Sequence, residues 1–285
     1  LLVFIWSNTR RTLLRILEFC FNVNIYPFYM NHVLPPSEID LLKQQIRELA
    51  ILSFGKVPEY QCFSNKPSAL KDKLIVTHRD KKGQLLAFSS SVIMPSTKVK
   101  SVLHLGLFLV SPSHRHKSLQ FKLGVVSIIV YVLSSSLRYR YWITNVSSVI
   151  ATLSTTDRMY CQVYPGFKKK SPDLIHIKIA DEFQTGVRER CFIAQDSTFD
   201  KKKFIYSKAN KSNCFLKKAK DKRYLGLNKT HNSFYQSLAN FDEGDAILQI
   251  GYATHYRVGF ALLAYGYRII INQLNRYFKI RREYA

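Results

Sequence analysis

Carboxylates are scarce in this chain, and so is any ordered use of cysteine. Across 285 residues, 19 Asp and Glu stand against 43 Lys and Arg, a formal net charge of +24. So large a surplus selects against polycationic partners and favours nucleic acid, an anionic membrane face or a phosphate-rich small molecule. The five cysteines, Cys20, Cys62, Cys161, Cys191 and Cys214, are odd in number and widely spaced. None sits in a Cys-x-x-Cys pair, which argues against a disulfide framework and against a zinc knuckle. A reducing, cytoplasmic setting is the expectation. Long apolar runs are missing too. A spanning helix needs about 18 or more apolar residues, and the nearest window, 258–274, is broken by Arg268 and Asn272. It reads as a buried or interfacial helix.

The common catalytic signatures are also absent. No Gly-x-Ser-x-Gly elbow, His-Glu-x-x-His helix, Walker loop or Gly-x-Gly-x-x-Gly turn occurs. The histidines are scattered. His114 and His116 share a side if extended, but no third metal ligand accompanies them.

What is present is a globular composition, 47% apolar and 13% aromatic, enough for a substantial core. Residues 1–34 are apolar and aromatic with interspersed Arg, either a helix packed on the body or an amphipathic surface helix. The stretch 35–54, "PPSEIDLLKQQIRELAILSF", is the clearest helix. Ser37 is its expected cap, with Asp40 three residues on, and Ile39, Leu42, Ile46, Leu49 and Ala50 share one face. A hairpin follows, 73–80 and 85–94, with Gly83 at the bend. Strands are expected at 102–110, 138–146, 161–167 and 173–181, and a turn followed by a strand at 244–254. Helices are expected at 114–137, 147–160 and at the C-terminus, 256–282. Residues 197–233 are the most basic and least periodic part of the chain, a flexible insertion or an anion-binding flank.

Between the strand 102–110 and the helix after it lies "SPSHRHKSLQ" (111–120). Val110, Pro112 and Arg115 fall in register with the core signature of the GNAT acyltransferase superfamily. That signature is an apolar strand ending in Val-x-Pro, then Arg or Gln three residues on, then Gly-x-Gly or Gly-x-Ala. The two glycine positions are Ser118 and Gln120 here. "WITNVSSVIATL" (142–153) resembles the superfamily's fifth strand and next helix, with Asn145 in the place of an Asn that touches the pantetheine arm. "VYPGF" (163–167) resembles the Gly-Phe that closes the superfamily core. A wider likeness to poorly characterised GNAT-like proteins takes in most of the chain.

The resemblance implies an α/β (α+β) fold with a mixed, mostly antiparallel central sheet flanked by helices. It implies acyl-CoA, acetyl or longer, as co-substrate, and an amine acceptor. The thioester would lie between two splayed strands, its oxygen held by a backbone amide near Leu109 or Val110. The pyrophosphate would rest on the cradle Arg115, His116, Lys117, Ser118, Leu119 and Gln120, at a helix N-terminus. A base and an acid are then needed. His104 is the only titratable residue on its strand, and Tyr160 or Tyr164 is the candidate donor to the leaving thiolate.

The domain reading is an N-terminal extension (1–34), a GNAT-like core (35–181), a basic segment (182–243) and a C-terminal strand and helix (244–285). The leading expectation is an acyl-CoA-dependent N-acyltransferase. The alternative is a degenerate GNAT-like scaffold that binds nucleic acid or an anionic membrane. It would use the basic 197–223 segment, with Phe204, Tyr206, Phe215 and Tyr224 as stacking rings, or the C-terminal helix, which would place the protein at a membrane periphery.

Overall fold

In the computed structural model the described residues are 2–27, 34–58, 60–64, 67–70, 73–115, 118–135, 138–186, 188, 193, 196–210, 214–218 and 220–259. Strands β1 (Asn24–Tyr26), β2 (Lys73–Arg79), β3 (Leu85–Ser96), β4 (Lys100–Val110), β5 (Tyr141–Ser147), β6 (Cys161–Tyr164), β7 (Thr198–Asp200), β8 (Ile205–Ser207) and β9 (Ala246–Ala253) form one sheet. Its order is β1-β2-β3-β4-β5-β9-β8-β7, with β6 also on β9. Every described pairing is antiparallel except β4 with β5. The fold is therefore mixed α/β with a mostly antiparallel central sheet, the class the resemblance implies.

Helices cover both faces. On one side lie α1 (Leu2–Phe21), α3 (Leu119–Ser134), α4 (Ile150–Met159) and α6 (Lys229–Leu238). Leu17 and Phe21 of α1 meet Leu123 and Val126 of α3 over Leu74, Val76 and Leu86 of the sheet. Ile150 and Leu153 of α4 meet Tyr235 of α6 over Ile247. On the other side lie α2 (Pro36–Phe54) and α5 (Leu174–Gly186). Ile39, Leu42, Ile46 and Leu49 of α2 cover Ile75, Phe88 and Leu109. Ile179, Ala180 and Phe183 of α5 cover Val102, Trp142, Leu248 and Ile250. Burying a large aliphatic or aromatic side chain is worth about 1.5–3 kcal/mol, so these apolar faces are what hold the helices down.

Several sequence expectations change. Helix α2 starts two residues before the point a Ser37 cap would set. Pro35 occupies the cap position without a side-chain bond and Pro36 takes the first turn, so Ser37 is no cap. Proline suits that position, because its preset φ and missing N–H cost nothing there. Helix α3 begins at Leu119, not at 114, because Pro112–His114 is a short 3-10 turn. The expected strand 173–181 is helix α5. The alternation of Ile175, Ile177 and Ile179 suggested period two. The buried set is instead His176, Ile179, Ala180 and Phe183, the i, i+3, i+4, i+7 face of a helix. The basic stretch contains β7, β8 and the start of α6, and β8 pairs with β9 at Ile205↔Ile247 and Tyr206↔Ala246. The C-terminal helix has turned helical by residue 255, but from 260 onward it lies outside the described residues.

Candidate active site

Strands β4 and β5 run parallel but part company. Their pairing covers only residues 102–105 against 142–145, ending at Leu105↔Asn145. Beyond that point β4 follows β3 to Ala87↔Val110, while β5 follows β9 to Ser147↔Ile247. The two strands therefore part toward their C-terminal ends, the place where the resemblance puts the thioester.

The cause lies in β4. Between Ser89↔Phe108 and Ser91↔Leu105 the register shifts, so Ser90 opposes both Gly106 and Leu107. Such a bulge bends its strand and sharpens the local twist. Position 106 has to be glycine: a Cβ there would lie 2.5 Å from the Ser90 carbonyl oxygen and 2.8 Å from the Tyr60 hydroxyl. Farther along, the Ser111 amide donates to the Leu86 carbonyl at 2.8 Å. Antiparallel ladders alternate, so Leu109 turns its amide to β3 while Phe108 and Val110 turn theirs toward the gap. Of the two expected amides, Val110 is the one aimed at it.

The charged loop stands at the mouth of the gap. Arg115 is exposed, and its guanidinium donates to the Ser53 carbonyl at the end of α2, 3.5 Å away. Ser118 precedes α3 in the left-handed region, φ 54° and ψ 24°, and makes no side-chain cap bond. The first turn's amides, at Leu119, Gln120 and Phe121, precede the first helical bond, from Lys122 to Ser118. Gln120 is exposed, and its Nε2 donates to Thr152 Oγ1 at 3.2 Å, tying the starts of α3 and α4 together. His116 and Lys117 lie outside the described residues.

The remaining expected residues are dispersed. Asn145 sits at the closed end of the gap on the α4 side. Its Nδ2 donates to Thr156 Oγ1 at 3.3 Å, while its Oδ1 is buried and unpartnered. Its cross-strand neighbour Gln249 donates to the Leu153 and Pro165 carbonyls and the Tyr235 hydroxyl. His104 is buried, with Nδ1 3.0 Å from Thr144 Oγ1 and its ring against Phe183. Burial first, and then the charge of Lys73, lower its pKa to about 3. It is a neutral imidazole in the closed part of the seam. Tyr160 is buried among Leu103, Leu105 and Val163 on the α3 side, and that burial raises its phenol pKa. Tyr164 faces the α5 side, and its hydroxyl donates to the Lys202 carbonyl. The geometry thus brings together Val110, Arg115, Ser118, Leu119 and Gln120, and leaves His104, Tyr160 and Tyr164 apart from them.

Tyr60 and Ser148, which sequence reasoning passed over, and Phe215, expected there as a nucleic-acid stacking ring, complete the α2 side of the gap. The Tyr60 hydroxyl lies over Gly106, where β4 leaves β5. Its ring meets Phe63 and Phe215, each at 6.4 Å, and Phe215 meets Phe54 at 5.2 Å. The Ser148 hydroxyl, just past β5, donates to the Phe215 carbonyl at 3.3 Å. The basic segment therefore reaches from α2 to the β5–α4 turn. Only the Ser-rich turn and the glycine at 106 marked these positions in the sequence. Two of the expected stacking rings, Phe204 and Tyr206, are 1% and 0% exposed and belong to the core. Among the described residues no three His, Cys, Asp or Glu side chains converge as a metal site, and no helix is long and apolar enough to cross a membrane.

No sequence profile of a protein family matches the chain, and no curated protein matches it. Solved structures do. An aminoglycoside 6'-N-acetyltransferase complexed with coenzyme A is 11% identical, over 74% of this chain and 91% of that one, with TM-score 0.30. A GCN5-related glucosamine N-acetyltransferase region of a fungal multi-domain GH3 β-N-acetylglucosaminidase is 16% identical, over 62% of this chain and 17% of that one, with TM-score 0.29. An integron cassette protein from the mobile metagenome of V. cholerae is 18% identical, over 39% of this chain and 68% of that one, with TM-score 0.28. Structural neighbours of this chain thus include GNAT-type acetyltransferases, at an overlap and identity that fix neither activity nor substrate.

Proposed function

We propose that this chain is an acyl-CoA-dependent N-acyltransferase acting on an amine. The observation that carries the reading is the parting of β4 and β5 beyond Leu105↔Asn145, directly beneath the loop that holds Arg115 and the start of α3. An extended thioester fits such a gap, with its pyrophosphate at the helix start, where amides and dipole favour anions. The Val110 amide faces the gap and would hold the oxyanion as the amine nitrogen bonds to the carbonyl carbon. The C–S bond then breaks, the thiolate takes a proton, and the new amide loses one. Holding the two reactants together is the main contribution of such a site.

Calorimetry with acetyl-CoA tests the reading. Binding is expected, and Arg115→Ala should weaken it about tenfold, the worth of a charge-assisted hydrogen bond. No binding at millimolar ligand would refute it. A second reading, a scaffold that binds a polyanion without catalysis, draws on the Gln120–Thr152 bond across the place where the signature has its second small residue. The exposed Lys201, Lys202, Lys203, Lys218, Lys220 and Lys222 would then carry binding that weakens steeply with salt.

A further inference from the structure

Two cations from distant parts of the chain converge on the end of α2. Arg115, from the β4–α3 loop, donates to the Ser53 carbonyl. Lys217, from the basic segment, lies over the ring of the next residue, Phe54, at 5.7 Å, and over Tyr224 at 5.3 Å. The Lys217 ammonium is half-buried and donates to the Cys214 carbonyl at 3.1 Å. Among the described residues no carboxylate forms an ion pair with it. The nearest acid in sequence, Asp221, is engaged by Arg223 through both oxygens. Burial, followed by the charges of Arg115 and Arg223, depresses the Lys217 pKa, with the Cys214 thiol and Asp221 acting in the opposite sense. The carbonyl end of α2 attracts one cation through its dipole. A second, half-desolvated and beside the first, is unfavourable unless an anion screens the pair.

We infer that Lys217 and Arg115 together form a phosphate-binding site, with the basic segment and the β4–α3 loop each supplying one of its cations. Position 118 carries a side chain and Gln120 is bulky, so backbone amides alone offer a poorer cradle, and Lys217 adds charge to it. The segment is held for this by Phe215, which packs on Phe54 and Tyr60 and accepts a hydrogen bond from Ser148. Under the acyltransferase reading, on which this assignment of the ligand rests, the phosphate is the pyrophosphate of acyl-CoA. A different phosphorylated ligand would present the same chemistry.

The test uses the full chain at low salt, titrated calorimetrically with inorganic pyrophosphate and separately with coenzyme A. Both should bind. Lys217→Met, which keeps the length of the side chain over its two rings, should weaken both about five- to tenfold. Lys217→Arg should restore much of the loss. Lys98→Met, at the opposite end of β4, should change neither. As a measurement independent of any variant, pyrophosphate should slow acylation of Lys217 by an amine-reactive reagent at least about fivefold in the wild-type chain, with Lys98 unaffected. If coenzyme A binds and neither Lys217→Met nor the labelling responds, the Lys217 site is wrong and the acyltransferase reading survives. If pyrophosphate binds through Lys217 but coenzyme A does not, the site stands and the acyltransferase reading falls. If neither ligand binds, both fall.

Discussion

Ser118 offers a direct measure of how far the loop keeps the shape of a glycine turn. Its backbone is left-handed, φ 54° and ψ 24°, and its hydroxyl makes no cap bond with the helix it precedes. A residue with a Cβ is about 1–2 kcal/mol less stable there than in its ordinary regions. Glycine removes that strain but loses about 0.5–1 kcal/mol more conformational freedom on folding. Since no side-chain bond is sacrificed, Ser118→Gly should stabilise the fold by about 0.5–1 kcal/mol. In a chain of 285 residues that is a rise in Tm of about 1–2 °C. The assay is urea unfolding at constant m-value, supported by thermal melting. Ser118→Ala keeps the Cβ and should change stability by less than about 0.3 kcal/mol, while β-branched Ser118→Val should destabilise. If alanine stabilises as much as glycine does, backbone strain is not the cause and the argument fails. Glycine here should also tighten coenzyme A binding, because it lets the anion approach the first-turn amides.

Two further perturbations probe the sheet around the gap. The pKa of His104 is about 3 in the folded chain, against 6.5 when unfolded. Between those values the unfolded chain binds the extra proton, so stability should fall as pH falls from about 6.5, by up to about 1.4 kcal/mol per pH unit. By pH 5 the loss is about 2 kcal/mol, and His104→Gln should flatten that part of the urea-midpoint profile; an unchanged slope would contradict the assignment. Gly106→Ala forces a Cβ to within 2.5 Å of the Ser90 carbonyl oxygen and should destabilise by about 1–3 kcal/mol. Gly124→Ala, where the nearest atom is 3.7 Å away, should gain about 0.5–1 kcal/mol from helix propensity. Equal tolerance at the two positions would show that the bulge is not tightly packed.

Much of the architecture was legible in the sequence because local pattern and burial agree. Helix α2 has a clean apolar face, the β2–β3 hairpin turns at Gly83, and β4, β5 and β9 are apolar runs of strand length. Helix α5 was misread because its alternating isoleucines mimic a strand. The core selects His176 instead and leaves Leu174 65% exposed, an outcome fixed by what α5 packs on and not by its own periodicity. The candidate site was half legible. Arg115 and its loop stand out by charge, and Asn145 by the resemblance of the strand that carries it. Tyr60 and Lys217 could not be found that way, and Phe215 was expected to stack on nucleic acid and not on Phe54 and Tyr60, because each comes from a loop whose position is set by contacts remote in sequence. His104 was chosen as the only titratable group on its strand, and its strand position, paired with Thr144 beneath α5, is what removes it from the gap.

Four residue pairs stitch the half-sheet β1–β4 to the half-sheet of β5 and its neighbours. Above them the sheet has a vacant rung, with the amides and carbonyls of Phe108 and Val110 on one rail facing it. Under the proposed acyltransferase reading, a slender ligand that carries amide groups at intervals along an extended backbone would take that rung and behave as a short additional strand. Recognition of this kind reads main chain more than side chain. It would ask of the flanking strands only that they stay parted, and so would place few demands on their side chains.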